Sequence, residues 1–197
     1  MLWLAIVLLT SLAIAMSRGG RFTHLGDIEL KAWWLLVVSF GLQAGARWAP
    51  AAQAWESAGL TMILTSFALL MAMALVNRSK PGMRLAGLGV LANFAVIAAN
   101  GGMPVLAGAA EVASGFAVND LDLSVSFTHV LLDETSRLTF FADVIPLRIA
   151  GFGEVISFGD VFLAIGLGVF LEHELRRPRR WFRHGVSAVP GSAARQR

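Results

Sequence analysis

Ser57–Val76, SAGLTMILTSFALLMAMALV, is a run of twenty residues without one charged side chain. A helix rises about 1.5 Å per residue, so this run matches the roughly 30 Å hydrocarbon core of a bilayer. Four further apolar stretches surround it, at 1–16, 32–46, 85–99 and 155–171. The shorter ones suffice where the bilayer thins locally. A hydrophobic fraction of 56% over 197 residues also leaves too little polar surface for a soluble domain. The expected fold class is an all-α integral membrane protein. It would be a bundle of about five transmembrane helices, with a partly helical, membrane-associated outer segment at 105–154 between spans four and five. Residues 1–175 form one transmembrane domain in this reading, and 176–197 form a basic cytoplasmic tail whose end reads as disordered.

The charges orient the bundle. Thirteen of the sixteen Lys and Arg residues fall in two alternate loops and the tail, and only Arg47, Arg137 and Arg148 lie in the remaining connections. Basic flanks resist translocation, so the basic side is cytoplasmic, the N-terminus is outside and the C-terminus inside. Five passes from an outside N-terminus end inside, which agrees. Trp3, Trp48 and Trp55 fall at outer edges, and Trp33, Trp34 and Trp181 at inner edges, where amphipathic rings prefer to sit. Arg18, Arg21, Arg176, Arg177, Arg179, Arg180 and Trp181 read as anchors for anionic headgroups of the bilayer. The net charge of +3 does not point to nucleic acid, because the basic residues border apolar runs rather than forming one basic face. Ala13-Ile14-Ala15 resembles a cleavage site, but no basic residue precedes the run at 1–16, which reads as an uncleaved first helix. With no cysteine there is no disulfide, thiolate metal site or cysteine nucleophile.

The outer segment carries Glu111, Asp120, Asp122, Asp133, Glu134, Asp143 and Glu154 against two arginines. Residues 107–117 are small and weakly helical, and Leu121, Val125, Thr128 and Leu132 recur at helical spacing, so short helices lying on the outer face are expected. His129 and Asp133, four apart, would share a helix face. Together with Asp143 and Asp160 they could form an acid–base or metal site, or the pair could be a solvated surface feature. His24, His173 and His184 lie on the opposite side.

Asp160 also has two readings. An acid inside a span suggests function, while Ser157-Phe158-Gly159-Asp160 has the spacing of a capping box. Asn100-Gly101-Gly102-Met103-Pro104 either stops the fourth helix or turns the Asn100 amide and the N–H groups of Gly101 and Gly102 toward a ligand. Gln43 and Asn93 read as hydrogen-bonding partners between helices. Gly87, Gly89, Gly166 and Gly168 would permit close helix contacts.

Ser17-Arg18-Gly19-Gly20-Arg21, Asn100-Gly101-Gly102-Met103-Pro104, His129, Asp143-Val144-Ile145-Pro146-Leu147 and Ser157-Phe158-Gly159-Asp160-Val161, in this order, resemble a bacterial family of multi-pass proteins, domain of unknown function 5317. The resemblance covers roughly residues 1–171. It implies an inner-membrane protein with its distinctive residues at the outer ends of spans four and five, and it implies no activity. Arg148 departs from the neutral turn that the resemblance leads one to expect.

Three functions fit these observations. The first is a non-catalytic accessory or scaffold component with a membrane-protein partner or a second copy of itself. The second is an enzyme using His129, Asp143 and Asp160 near Asn100 on a lipid or polyprenyl-linked substrate at the outer face. The third is a small oligomeric transporter. No cofactor or metal is evident in the sequence. The enzyme reading requires His129, Asp143, Asp160 and Asn100 to converge.

Overall fold

The computed structural model describes residues 2–48, 53–115, 129–149 and 152–176. The chain is mostly helical: α1 is Leu2–Ser17, α2 Trp34–Trp48, α3 Gln53–Val76, α4 Met83–Asn100, α5 Ala107–Ser114 and α6 Phe158–Arg176. The long helices pack in the order α2–α3–α4–α6–α1. Two of them, at Ser57–Val76 and Met83–Asn100, are long and apolar enough to cross a bilayer, and the apolar helices Trp3–Ser17 and Trp34–Ala46 are shorter.

Glycine sets several helix ends. Gly19 has φ +86°, and the amides of Gly19 and Gly20 bond back to the carbonyls of Met16 and Ala15, so a left-handed residue closes α1 as its sequence suggests. Gly101 at φ +73° does the same for α4, and Pro104 keeps the helix from resuming.

The α4–α6 contact is built on absent side chains. A Cβ on Gly89 would collide with the Gly159 carbonyl and the Leu163 amide, and one on Gly166 would collide with the Ala86 amide. Gly87 faces Ala74 of α3, and Gly168 faces Ser11 of α1. All four glycines therefore lie at helix–helix contacts. On the far side of α4, an apolar cluster of Ala46, Ile63, Val96, Ile97 and Met103 joins α2, α3, α4 and the strand that follows.

Many large apolar side chains of the long helices face outward, and several polar side chains lie within the otherwise apolar core. Leu9, Val37, Phe40, Leu75, Leu88, Leu91 and Ile165 are exposed, whereas Ser39, Ser66, Asn77 and Asn93 are buried. The Gln43 amide donates to Ser66 Oγ at 3.1 Å, tying α2 to α3.

One end of the bundle is basic. Asn77 Nδ2 donates to the Lys31 carbonyl and Asn77 Oδ1 accepts from the Lys31 amide, at 2.9 and 3.0 Å. Lys80 pairs with buried Glu174 at 3.2 Å and lies 5.6 Å from the centre of the Phe170 ring. Arg18 and Arg176 both bond Glu172, at 2.8 and 3.2 Å. Buried His24, in a 3₁₀ turn at Phe22–Asp27, places Nδ1 2.8 Å from the Leu175 carbonyl. A carbonyl only accepts, so Nδ1 carries the proton.

At the other end the all-α expectation needs correction. Strands β1 (Met103–Val105) and β2 (His129–Leu131) pair in parallel, and β3 (Ile145–Ile149) and β4 (Phe152–Ile156) form an antiparallel pair. These runs are rich in Val and Ile, and β1 offers unpaired backbone groups once Gly101 has turned the chain. His129 consequently lies in a strand, and the helical face with Asp133 does not form. Asp133 instead closes a local turn, accepting from the Thr135 amide and hydroxyl and from Ser136. Those bonds hold its carboxyl below the usual range. Helix α5 is present where small residues suggested it. Leu121, Val125 and Thr128, like Asp120, Asp122, Arg177, Arg179, Arg180 and Trp181, lie outside the described residues.

The fifth apolar helix also starts later than its sequence suggests. Val155 and Ile156 belong to β4, and α6 continues to Arg176. The Arg148 side chain, which departs from the expected neutral turn, rests against Gly115 at the C-terminal end of α5, where the helix dipole favours a cation.

Candidate functional site

The acidic end gathers the remaining polar groups. Ser157 caps α6: its amide donates to Asp160 Oδ2 at 3.0 Å, and the Asp160 amide donates to Ser157 Oγ at 3.0 Å. Both halves of the capping box are made. Asp160 also reaches across to α4, where Asn93 Nδ2 donates to its Oδ1 at 2.8 Å. Ser157 Oγ lies 2.9 Å from Asp160 Oδ2 and 3.0 Å from Asn93 Oδ1, and its single proton serves one of them at a time. Gly159 makes room for this, because a Cβ there would overlap Asn93 Oδ1. The cap and the interhelical bond are one network.

Asp143 is placed by backbone bonds on either side of Val105. Its amide donates to the Pro104 carbonyl and its carbonyl accepts from the Leu106 amide, both at 2.9 Å. Strand β1 thus has β2 on one edge and Asp143 on the other. Asp143 Oδ2 lies 3.7 Å from His129 Nε2, with the Asp143 side chain 7% and the His129 side chain 40% exposed. Among the described residues Asp143 Oδ1 has no hydrogen-bond partner. Burial, and then the nearby Asp160 carboxylate, push the Asp143 carboxyl up to about 8. At neutral pH it therefore holds a proton beside a partly exposed imidazole, an arrangement able to exchange one proton.

Asn100 does not join them. Its Nδ2 donates to the Val96 and Arg137 carbonyls at 2.8 and 2.9 Å, and its Oδ1 accepts from the Arg137 amide at 2.7 Å. Gly101 makes the turn that closes α4, and Gly102 is buried behind it. Of the four residues required by the enzyme reading, His129 lies beside Asp143, Asp160 acts on Asp143 through its charge, and Asn100 clamps the 137 loop. Among the described residues no group of three or more His, Asp or Glu is arranged to hold a metal ion.

These assignments separate in a hydrogen-exchange measurement. Asn100→Ala removes the clamp and should speed exchange of the Arg137 amide, at a cost of about 1–2 kcal/mol. Ser157→Ala should cost about 1 kcal/mol and loosen the first turn of α6. Unchanged exchange at Arg137 in Asn100→Ala would rule out the clamp.

Local spacing does not reveal Lys80–Glu174 or Asn77–Lys31, whose partners are 94 and 46 residues apart. The available signal is a charged or amide side chain just past a span's end. Arg18 and Arg176, expected as anchors, are at the basic end and share Glu172, and the Arg21 amide bonds the Leu175 carbonyl.

Residues 27–172 match the family of unknown function DUF5317. The match starts after Ser17-Arg18-Gly19-Gly20-Arg21, so that motif lies outside it. An uncharacterised protein of Thermotoga maritima is 32% identical over 131 residues, covering 66% of this chain and 70% of its own length. No solved structure matches. With three quarters of its length aligned, including Asn93, Asn100, His129, Asp143, Ser157 and Asp160, the chain belongs to the DUF5317 family.

Proposed function

We propose that this is a bacterial inner-membrane protein of five spans, N-terminus outside and C-terminus inside, with a non-catalytic accessory or scaffold role. The observation that carries the membrane reading is the apolar outer surface: the long helices turn Leu9, Val37, Phe40, Leu75, Leu88, Leu91 and Ile165 outward while Ser39, Ser66 and Asn93 lie inside. In water that arrangement exposes apolar surface and buries amides; in lipid both are favourable. The clustering of Arg18, Lys80 and Arg176 at one end, opposite Asp143, Glu154 and Asp160, supports the orientation. The accessory role is supported by where the polar groups are used. Asn93, Ser157 and Asp160 serve a cap and an interhelical bond, Asn100 clamps the 137 loop, and Gln43 bonds Ser66.

The outer-face enzyme is the second reading because of one feature, the buried Asp143 oxygen beside His129 that has no partner among the described residues. A lipid-linked substrate could reach that pair from the bilayer.

Orientation is tested by single cysteines in the cysteine-free chain. Ser79→Cys and Thr139→Cys, both at exposed positions, are challenged in intact cells with an impermeant thiol reagent. Labelling is expected at 139 only, and the reverse pattern overturns the orientation. The role is tested by purification in mild detergent. A protein partner, or a second copy, recovered at fixed stoichiometry supports the accessory role; a homogeneous monomer overturns it.

A further inference from the structure

A groove of about 190 Å³ runs between α1 and α6, lined by Val7, Ser11, Ile14, Ile165, Val169 and Glu172. Gly168 lets Ser11 approach closely at its floor. Residues 7–14 span about 10 Å of helix, and the apolar part ends at the Arg18–Glu172–Arg176 cluster. Glu172 takes hydrogen bonds from both arginines, at 2.8 and 3.2 Å, so the trio carries one net positive charge. Both arginine side chains stay about half exposed, at 58% and 48%, and their guanidinium groups have further donors for another anion.

We propose that this groove seats an acyl chain of an anionic phospholipid from the inner leaflet, with Arg18 and Arg176 receiving the phosphate. The proposal rests on the membrane reading above. Its two parts match the two parts of such a lipid: an apolar trough along the helices and a cationic rim at their basic ends. Arg is suited to the rim because its planar fork offers paired donors to phosphate oxygens.

The test is lipid retention by native mass spectrometry of the full chain, released from nanodiscs of phosphatidylglycerol and phosphatidylcholine in equal amounts. The wild type should retain phosphatidylglycerol preferentially. Arg18→Gln and Arg176→Gln should each reduce that preference by about fivefold, the effect of one basic residue near an anionic surface. Ile165→Trp, at an exposed position, should block the trough and reduce retention of both lipids without touching a charge. Arg84→Gln is the control, since Arg84 is also exposed at the basic end but lies on α4. Equal retention of the two lipids by the wild type, or an Arg84→Gln loss as large as that of Arg18→Gln, overturns the groove. Failure of the wild type to sediment with cell membranes overturns the membrane reading itself, so the two failures are distinguishable.

Discussion

Gly89→Val should cost roughly 3 kcal/mol or more, the upper part of the range for overpacking a tight interior. Gly89 lies where α4 meets α6, and even its first added carbon would overlap the Gly159 carbonyl and the Leu163 amide. Those are backbone atoms, so no rotamer change relieves the collision. The helices must part, and the Asn93–Asp160 bond at one end and the Lys80–Glu174 pair at the other are stretched with them. Measured as the unfolding midpoint of the detergent-solubilised chain, the loss corresponds to about 6–12 °C. Gly41→Ala is the control: among the described residues nothing lies within 4 Å of its missing Cβ, and it sits inside α2. Alanine there should leave the midpoint unchanged or raise it, by up to about 1 kcal/mol of helix propensity. Equal effects of the two substitutions would contradict the α4–α6 contact.

The helices are legible in the sequence because each is announced locally. An uncharged run such as 57–76, a glycine that can turn left-handed and a proline that cannot continue are all signals within one segment. The capping box at Ser157–Asp160 is legible for the same reason, since its reciprocal bonds span three residues. The strands are not. His129 and Asp133 fit a helical period, yet β2 forms because β1, 26 residues earlier by the Met103–His129 register, presents an open edge. That edge exists only after Gly101 and Pro104 have redirected the chain, and no local pattern at His129 reports it. The neighbourhood of His129 and Asp143 is expected from composition but arises differently, across β1 rather than along a helix. Asn100 shows the converse: its sequence neighbours identify a helix stop, and the clamp on Arg137 is what the stop's amide does. Asn93 reads as an interhelical partner and is one; that its partner is the capping carboxylate of α6 is visible only in the fold.

Asp143→Asn should stabilise the protein at pH 8, and the pH dependence gives the reason. The folded carboxyl is pushed up to about 8 by burial and, secondarily, by Asp160, against 3.8 for the free side chain. Between those two values the folded state holds a proton that the unfolded state has released. Stability from this group is therefore complete below about pH 4, falls as pH rises and stops falling above about pH 8. A tenfold change in proton affinity is worth about 1.4 kcal/mol, so even part of this rise amounts to a few kcal/mol. A positive charge on His129 would oppose the rise. An amide keeps the shape of the carboxyl and cannot ionise, so the variant should lack this slope and exceed the wild type most at pH 8 and above. The measurement is the unfolding midpoint of both proteins from about pH 5 to 9. If Asp143→Asn is instead the less stable protein throughout, the carboxyl is ionised in the fold and paired with an imidazolium at His129. In that case the pair is structural, and the unpartnered Oδ1 no longer speaks for an outer-face enzyme. If the variant is more stable, Asp143 is a neutral acid held at a cost in stability beside an imidazole, the state in which it could donate a proton at neutral pH.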